Sequence, residues 1–242
     1  MKKLNAFQIK VFLIIMMLLD HISSAFPGVL PNWTHAITRG VSPMFAYFLV
    51  EGYFYTRSKK KYGIRLLSFA VLMYLGNTLI NTLLAVKGVY VQNNIFETLF
   101  AGFIGIWIFD YAKKKQGRVK VLLIILGVVC SIIGALFTEG GLSVIPFILI
   151  TYFFRENAKK QIVGYLLLSI VLFFMVFTPY ETVAETIDML MFNSDFLLIL
   201  AIPTILLYNG ERGLNNKFSK YLFYVFYPLH LWGLAIISYL IK

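Results

Sequence analysis

The hydrophobic and polar positions of the chain fall into long apolar runs separated by short polar stretches. A helix needs about 20 apolar residues to cross the hydrocarbon core of a bilayer, so runs of this length predict membrane-spanning helices. Nine spans are predicted, at residues 7–26, 38–56, 63–86, 94–112, 119–137, 140–154, 161–178, 195–209 and 219–240. Residues 181–194 are acidic and amphipathic, which favours a helix at the membrane interface. The predicted fold is therefore an all-α, polytopic membrane bundle with a single transmembrane domain over residues 1–242.

The composition excludes the other broad classes of protein. Hydrophobic residues make up 60% of the chain and charged residues 14%, with a mean hydropathy of +0.79. An average soluble domain is about 25% charged, and a disordered chain is far less apolar than this one. An outer-membrane barrel would show alternating apolar and polar residues instead of long apolar runs.

The net charge of +11 reports orientation rather than a nucleic-acid partner. With the N-terminus inside, 19 of the 22 Lys and Arg residues fall in connections on the inner side. The three on the outer side are Arg39, Lys87 and Lys242. Since basic residues are enriched in cytoplasmic loops, the N-terminus is predicted to be cytoplasmic.

The sequence contains no Walker loop, no GxGxxG and no CxxC, and its single cysteine, Cys130, lies within an apolar run. Neither a disulfide nor a bound metal is therefore expected. The connections between the spans are too short for a soluble domain, so any chemistry is expected inside the bundle or at its mouths.

Asp20 and His21 form an adjacent carboxylate and imidazole in the outer half of the first span. Ionisable residues are costly in lipid and therefore mark functional sites. An imidazole can take a proton from an amine or hydroxyl, and a carboxylate can fix its tautomer. Because adjacent helical residues point about 100° apart, Asp20 can instead pair across the bundle, for instance with Arg39, as an interhelical clamp.

Two further residues are candidates for the same chemistry. Arg39 can bind an anion, pair with Asp20, or extend to the lipid head groups. His230 follows Pro228 in the last span, where the missing backbone donor loosens the helix, so it can act in chemistry or bond a freed carbonyl. His35, in an outer loop, is expected to be solvated.

The inner side carries a second set of candidates. Glu51 lies in the inner half of the second span, and its structural alternative is a salt bridge to the basic loop at 57–61. Asp110 is expected to pair with nearby lysines. The basic clusters set the orientation of the chain and attract anionic lipid, or gather a polyanion such as the phosphates of coenzyme A. Their lysines are Lys59, Lys60, Lys61, Lys113, Lys114 and Lys115.

Four stretches of the sequence resemble the TraX family of bacterial membrane proteins, which is named for N-acetylation of a conjugative pilin. The stretches are LLDHIS, RGVSPMFAYFLVEGYFYTRSKKKYGIRLL, NNIFETLFAGFIGIW and YLFYVFYPLHLWGL. The resemblance runs through practically the whole chain in the same order, although residues 130–195 match in hydropathy alone. The family is similar in architecture to membrane acyltransferases that use cytoplasmic acetyl-CoA.

The resemblance implies an acyl-CoA-dependent O- or N-acyltransferase in the bacterial cytoplasmic membrane. Asp20 and His21 match the family's Asp-His pair, Arg39 and Glu51 its second-helix charges, and His230 its terminal histidine. Acetyl-CoA is the implied donor, and a peptide amine or a glycan hydroxyl at the outer face is the implied acceptor. His21 is expected to be the general base or to carry the acetyl group itself.

The expected acyltransferase also needs residues that stabilise the oxyanion and bind coenzyme A. Arg39, a backbone N–H near Pro228, or His230 is expected to steady the oxyanion. The six lysines and Glu51 are expected at the coenzyme A site, where the phosphates meet the basic residues. Two other functions stay open, a small proton-coupled transporter and a non-catalytic membrane assembly factor. The sequence also leaves open the acceptor, the acyl length and a homo-oligomeric state.

Overall fold

A computed structural model describes residues 3–31 and 33–242 of the chain. Over these residues the chain forms α-helices and two 3₁₀ segments, with no strand and one isolated bridge between Leu4 and Tyr208. The helices are α1 (Ala6–Ala25), α2 (Trp33–Thr38), α3 (Val41–Tyr55), α4 (Lys59–Leu84), α5 (Ile95–Ala112), α6 (Gly117–Phe137), α7 (Gly141–Phe153), α8 (Ala158–Val176), α9 (Val183–Phe192), α10 (Ala201–Leu207) and α11 (Lys217–Ile241). The 3₁₀ segments are Ala85–Lys87 and Ser194–Leu200. The predicted all-helical class is confirmed.

Six helices in the described part of the chain are long and apolar enough to cross a membrane. They are α1, α4 with its following 3₁₀ turn, α5, α6, α8 and α11. Each of them contains or overlaps one of the predicted spans. The number rises to seven if α9 and the segment Ser194–Leu207, which meet at a bend of 64°, are counted as one span.

The other three predicted spans form shorter pieces. Helix α3 has 15 residues and α7 has 13, which at 1.5 Å per residue gives about 22 and 20 Å against a hydrocarbon core of about 30 Å. Residues 195–209 are divided between the 3₁₀ segment Ser194–Leu200 and the seven-residue α10. Hydropathy does not detect the division within 195–209, because residues 196–202 are all apolar. The nine-span count and the side of the N-terminus stay predictions.

Side-chain caps fix where several helices begin. Asn5 accepts a hydrogen bond from the backbone N–H of Gln8, whose side chain bonds back to the N–H of Asn5, both at 3.0 Å. Such a capping box satisfies two backbone donors that the first turn of a helix leaves without partners. The same arrangement starts α9 at Thr182 and α11 at Asn216.

The chain divides into two compact units, which are described separately. The first comprises the described residues of Met1–Met44, Met73–Asn93 and Ser169–Lys242. In it, α1 packs against α11 and α2, and α2 packs against α9 and the segment Ser194–Leu200.

The second unit comprises Phe45–Leu72 and Asn94–Leu168, and α5, α6 and α7 pack together in it. Small residues allow α5 and α6 to approach closely: a Cβ added at Gly127 would lie 2.8 Å from the ring of Phe109, and one at Gly134 would lie 2.9 Å from the Cβ of Ala101. Most other side chains of α6 are exposed and apolar. Close contact through small residues, with large apolar residues facing outward, is typical of helices packed in lipid.

Candidate active site around His21 and Asp20

His21 of α1 and His230 of α11 meet in the first unit. The Nδ1 atom of His21 lies 2.7 Å from the Nε2 atom of His230, and the ring centroids are 4.8 Å apart. The other ring nitrogen of His230, Nδ1, lies 2.8 Å from the carbonyl oxygen of Phe226, one turn earlier in α11. The two histidines that the sequence placed at opposite ends of the chain therefore form a single hydrogen-bonded pair.

His230 is buried and packed within its own helix. It is 8% exposed, and its ring stacks on that of Phe226 at a centroid distance of 4.8 Å. One ring nitrogen of His230 bonds a backbone carbonyl and the other reaches His21, whereas a part of His230 in chemistry stays a prediction.

Asp20 faces a different set of partners from its neighbour His21. Its carboxylate accepts hydrogen bonds from Nδ1 of His35 at 2.8 Å, from Oγ1 of Thr38 at 2.6 Å and from Nη2 of Arg39 at 2.9 Å. The Arg39 group bonds both carboxylate oxygens. Asp20 therefore bonds residues of α2 and Arg39, which follows α2, and it does not fix the tautomer of His21. The expected pairing of Asp20 with Arg39 is present.

Arg39 is held on several sides. Besides Asp20, it donates through Nε to the carbonyl oxygen of His35 at 3.1 Å and through Nη1 to Asp195 at 3.3 Å. With these acceptors in place, its guanidinium is largely engaged in binding protein groups. The expectation that Arg39 steadies a reacting oxyanion therefore stays a prediction.

Sequence reasoning missed three members of this network, His35, Thr38 and Asp195. His35 was expected to be solvated, but the short helix α2 turns it onto Asp20. A signal for it exists in the spacing, since His35 and Arg39 lie four residues apart and so on one helical face. Asp195 carries no comparable signal, because 156 residues separate it from Arg39.

A cavity of about 240 Å³ lies beside His21 in the first unit. His21, Ser24 and Ala25 of α1 border it, together with Leu231, Leu234, Ala235 and Ser238 of α11, with Lys242, and with residues from the segment Gly88–Asn93. Nδ1 of His21 is used by His230, whereas its Nε2 has no hydrogen-bond partner among the described residues. His21 therefore presents a free ring nitrogen on a side chain that borders an open space.

The segment Gly88–Asn93, which lines one side of this cavity and has no regular secondary structure, is held by asparagines of α4. The side-chain amide of Asn81 accepts from the backbone N–H of Val91 at 2.7 Å and donates to its carbonyl oxygen at 3.0 Å. Asn77 donates to the carbonyl oxygen of Asn93 at 3.0 Å and accepts from the indole N–H of Trp232 at 2.9 Å. These bonds satisfy main-chain groups that a segment without regular structure would otherwise leave unpaired.

The residues predicted for the coenzyme A site lie in the second unit and are partly engaged. Lys59 forms an ion pair with Asp110 at 2.7 Å, and Tyr53 donates to the same carboxylate at 2.9 Å. The ammonium of Lys113 lies 4.4 Å from the ring centroid of Tyr152. The expected pairing of Asp110 with lysines is present, whereas Lys60 and Lys61 are exposed at the start of α4.

Glu51 pairs with Arg155 rather than with the loop at 57–61. Nε of Arg155 lies 2.8 Å from Oε1 of Glu51. Burial lowers the pKa of the Arg155 guanidinium, but the bond with Glu51 outweighs burial and raises this pKa above its ordinary value. The salt bridge that the sequence offered as the structural alternative for Glu51 therefore exists with a different base.

No group of three or more His, Cys, Asp or Glu side chains within residues 3–31 and 33–242 is arranged to hold a metal ion.

A comparison with known families covers the site residues of both α1 and α11. The model of the family described as TraX protein matches residues 6–238. The chain belongs to the TraX family. The match includes Asp20, His21, Arg39 and His230, so all four lie within the part of the chain that defines a TraX protein.

This TraX chain is also similar to a curated protein, a probable fimbrial assembly protein FimC, serogroup H1, of Dichelobacter nodosus. The two are 27% identical over 241 residues, which cover 94% of this chain and 93% of the relative. No solved structure matches the chain.

Proposed function

We propose that this TraX protein is a membrane acyltransferase that moves an acetyl group from acetyl-CoA to an amine or a hydroxyl. The observation that supports the proposal best is His21, which borders a cavity of about 240 Å³ with a ring nitrogen that no described residue occupies. A general base must reach the proton that it removes, and a free imidazole nitrogen beside an open space meets this requirement.

The proposed step forms a bond between the acceptor's nitrogen or oxygen and the acetyl carbon, and it breaks the C–S bond of the thioester. Nε2 of His21 takes the proton from the acceptor's amine or hydroxyl as the lone pair of that group attacks the thioester carbonyl of acetyl-CoA. The C–S bond then breaks, coenzyme A leaves as its thiolate, and the proton on His21 passes to the sulfur. His21 ends the cycle in the state in which it began, and the acceptor carries an amide or an ester.

The basic clusters support a phosphate-bearing donor. Lys60, Lys61 and Lys113 are exposed, and the side chain of Lys114 is 69% exposed. The charge of Lys59 is already matched by Asp110, and that of Arg155 by Glu51. The exposed lysines are therefore stronger candidates for the coenzyme A phosphates than Lys59 or Glu51.

A non-catalytic role in assembly is the second candidate. It is favoured by the similarity to the relative from Dichelobacter nodosus, a probable fimbrial assembly protein. In this case the polar network around Asp20 would only hold helices together, and no acetyl group would be transferred.

Membranes from cells that express the protein, incubated with acetyl-CoA labelled in its acetyl group, separate the two candidates. We expect label to enter membrane-associated material, and we expect His21→Ala to abolish this transfer. Phe12→Ala is the matched control, because Phe12 lies on the same helix, is 51% exposed and is about 13 Å from His21 along the helix axis.

Wild-type protein that transfers no label in these membranes would support the assembly factor. Full transfer by His21→Ala would exclude His21 as the base. Both variants are compared at equal amounts of folded protein, measured by size-exclusion chromatography in detergent.

A further inference from the structure

Three groups in the first unit form a line in which each hydrogen bond determines the next. The carbonyl oxygen of Phe226 lies 2.8 Å from Nδ1 of His230, and Nε2 of His230 lies 2.7 Å from Nδ1 of His21. A carbonyl oxygen can only accept a hydrogen bond. Nδ1 of His230 must therefore carry a proton and donate it to Phe226.

A neutral imidazole has one N–H, so the proton on Nδ1 leaves Nε2 of His230 as an acceptor. The atom 2.7 Å away, Nδ1 of His21, must then carry the proton of that contact. This uses the single N–H of a neutral His21. Its Nε2 is left with an unprotonated lone pair, on the side chain that borders the cavity.

The alternative places a second proton on His230 and reverses the bond to His21. It would put a positive charge on a side chain that is 8% exposed, stacked on Phe226 and within 6 Å of the ring of Tyr227. Neither ring nitrogen of His230 contacts a carboxylate, because one lies against His21 and the other against the carbonyl oxygen of Phe226. Burying an uncompensated charge in an apolar helix is costly, so the neutral arrangement is favoured.

We propose that His230 is a positioning residue that holds His21 in the tautomer with its proton on Nδ1 and its base at Nε2. The backbone carbonyl of Phe226 fixes the tautomer of His230, and His230 in turn fixes that of His21. In serine hydrolases a carboxylate orients the catalytic histidine. Here a backbone carbonyl does so through a second imidazole, and Asp20 serves the helix contact instead. The catalytic value of this arrangement rests on the proposed function, whereas the tautomer itself does not.

The tautomer can be measured directly by ¹⁵N NMR of protein labelled at histidine and held in lipid nanodiscs. The chain has three histidines, so the signals are assigned from His21→Gln, His35→Gln and His230→Gln. We expect His21 to show a protonated Nδ1 and an unprotonated Nε2 near neutral pH. An Nε2-protonated His21, or a doubly protonated His230, would overturn the proposal.

Two amides at position 230 form a matched pair. The glutamine of His230→Gln places its amide near the position of Nε2, so its oxygen can still accept from His21. The asparagine of His230→Asn places its amide near the position of Nδ1, where it can bond Phe226 but not reach His21. We expect His230→Asn to show both tautomers of His21, and His230→Gln to favour the native one.

In the transfer assay, we expect kcat to fall roughly 10- to 100-fold in His230→Asn, by analogy with the loss of the hydrogen-bond partner of a metal-bound histidine, with the KM for acetyl-CoA unchanged. His230→Gln should recover most of this loss. Equal activity of both variants and the wild type would exclude the positioning role. If the wild-type protein transfers no acetyl group, the proposed function fails while the NMR result still decides the tautomer.

Discussion

At the scale of single residues, the arrangement around Asp20 shows how one buried carboxylate organises its surroundings. Its side chain is 15% exposed and accepts bonds from a histidine, a threonine and an arginine. A carboxylate removed from water is stable only when such partners replace the lost hydration. Asp20 therefore determines where α2 lies, and its neighbour His21 is left to face α11 and the cavity.

The Asp20–Arg39 pair should be strongly coupled in stability. We expect Arg39→Gln to destabilise the protein by about 3 kcal/mol, because it leaves a largely buried carboxylate without its cation. The double variant Asp20→Asn/Arg39→Gln should lose less than the sum of the two single losses. Thermal unfolding in detergent measures all three.

Asp195→Asn is the control for this pair, since Asp195 also contacts Arg39 but is 45% exposed. An exposed ion pair contributes about 0–1 kcal/mol, so a small loss is expected. Losses that simply add in the double variant would show that Asp20 and Arg39 do not stabilise each other.

At the scale of elements, the cavity depends on a segment without regular structure. Residues 89–94 belong to no helix or strand, yet Val89 and Val91 are buried. Asn81 makes this possible because one side-chain amide bonds both the N–H and the carbonyl oxygen of Val91. Helix α4 thus supplies, through side chains, the partners that a neighbouring strand would provide in a sheet.

Asn81→Leu should loosen the segment Gly88–Asn93 while α4 stays helical. Leucine has a similar size but no hydrogen-bonding group, so both main-chain groups of Val91 lose their partner. We expect hydrogen exchange at the Val91 amide to become at least about 10-fold faster, as the loss of about 1.4 kcal/mol of local stability implies.

Thr82→Val is the matched control for this exchange measurement. Thr82 is the next residue of α4, is exposed, and bonds only the carbonyl oxygen of Thr78 in its own helix. Exchange in Gly88–Asn93 should not change in this variant. Equal protection of Val91 in Asn81→Leu and the wild type would show that the amide of Asn81 does not hold the segment.

At the scale of the whole molecule, two independent features bear on the number of membrane crossings: the distribution of basic residues and the lengths of the helices. The 19 to 3 division of Lys and Arg follows from nine crossings. Six helices of the described chain have the length and composition for a crossing, and α3, α7 and the bent segment would complete the nine. Since α3 and α7 are shorter than the hydrocarbon core is thick, their crossings would need the flanking residues to extend them or the bilayer to thin locally.

Reporter fusions test this topology. A fluorescent protein that folds only in the cytoplasm should fluoresce when fused after residue 115, between α5 and α6, and should stay dark when fused after residue 185. Alkaline phosphatase, which is active only outside, should give the opposite result at both sites. Fluorescence after 185 together with darkness after 115 would reverse the orientation.

The helical class, the long apolar helices and the family could be predicted from the sequence. Each depends on local pattern: the length of an apolar run, a cap such as Asn5 with Gln8, or a motif such as Tyr227-Pro228-Leu229-His230. Asp20, His21 and His230 could be selected as candidates for the same reason, because an ionisable residue within an apolar run is visible without knowledge of the fold.

Only the tertiary structure decided which of these residues meet. His21 and His230 are separated by 209 positions and Arg39 and Asp195 by 156, and no local pattern encodes such contacts. The change from the 3₁₀ segment Ser194–Leu200 to α10 was also invisible to hydropathy, since residues 196–202 are all apolar. The sequence by itself determined which side chains are available to this site, because the identity of a side chain is known at each position without the fold. The packing of α1 against α11 and α2 decided that His21 pairs with His230 and Asp20 with Arg39, because two adjacent helical residues must point to different neighbours.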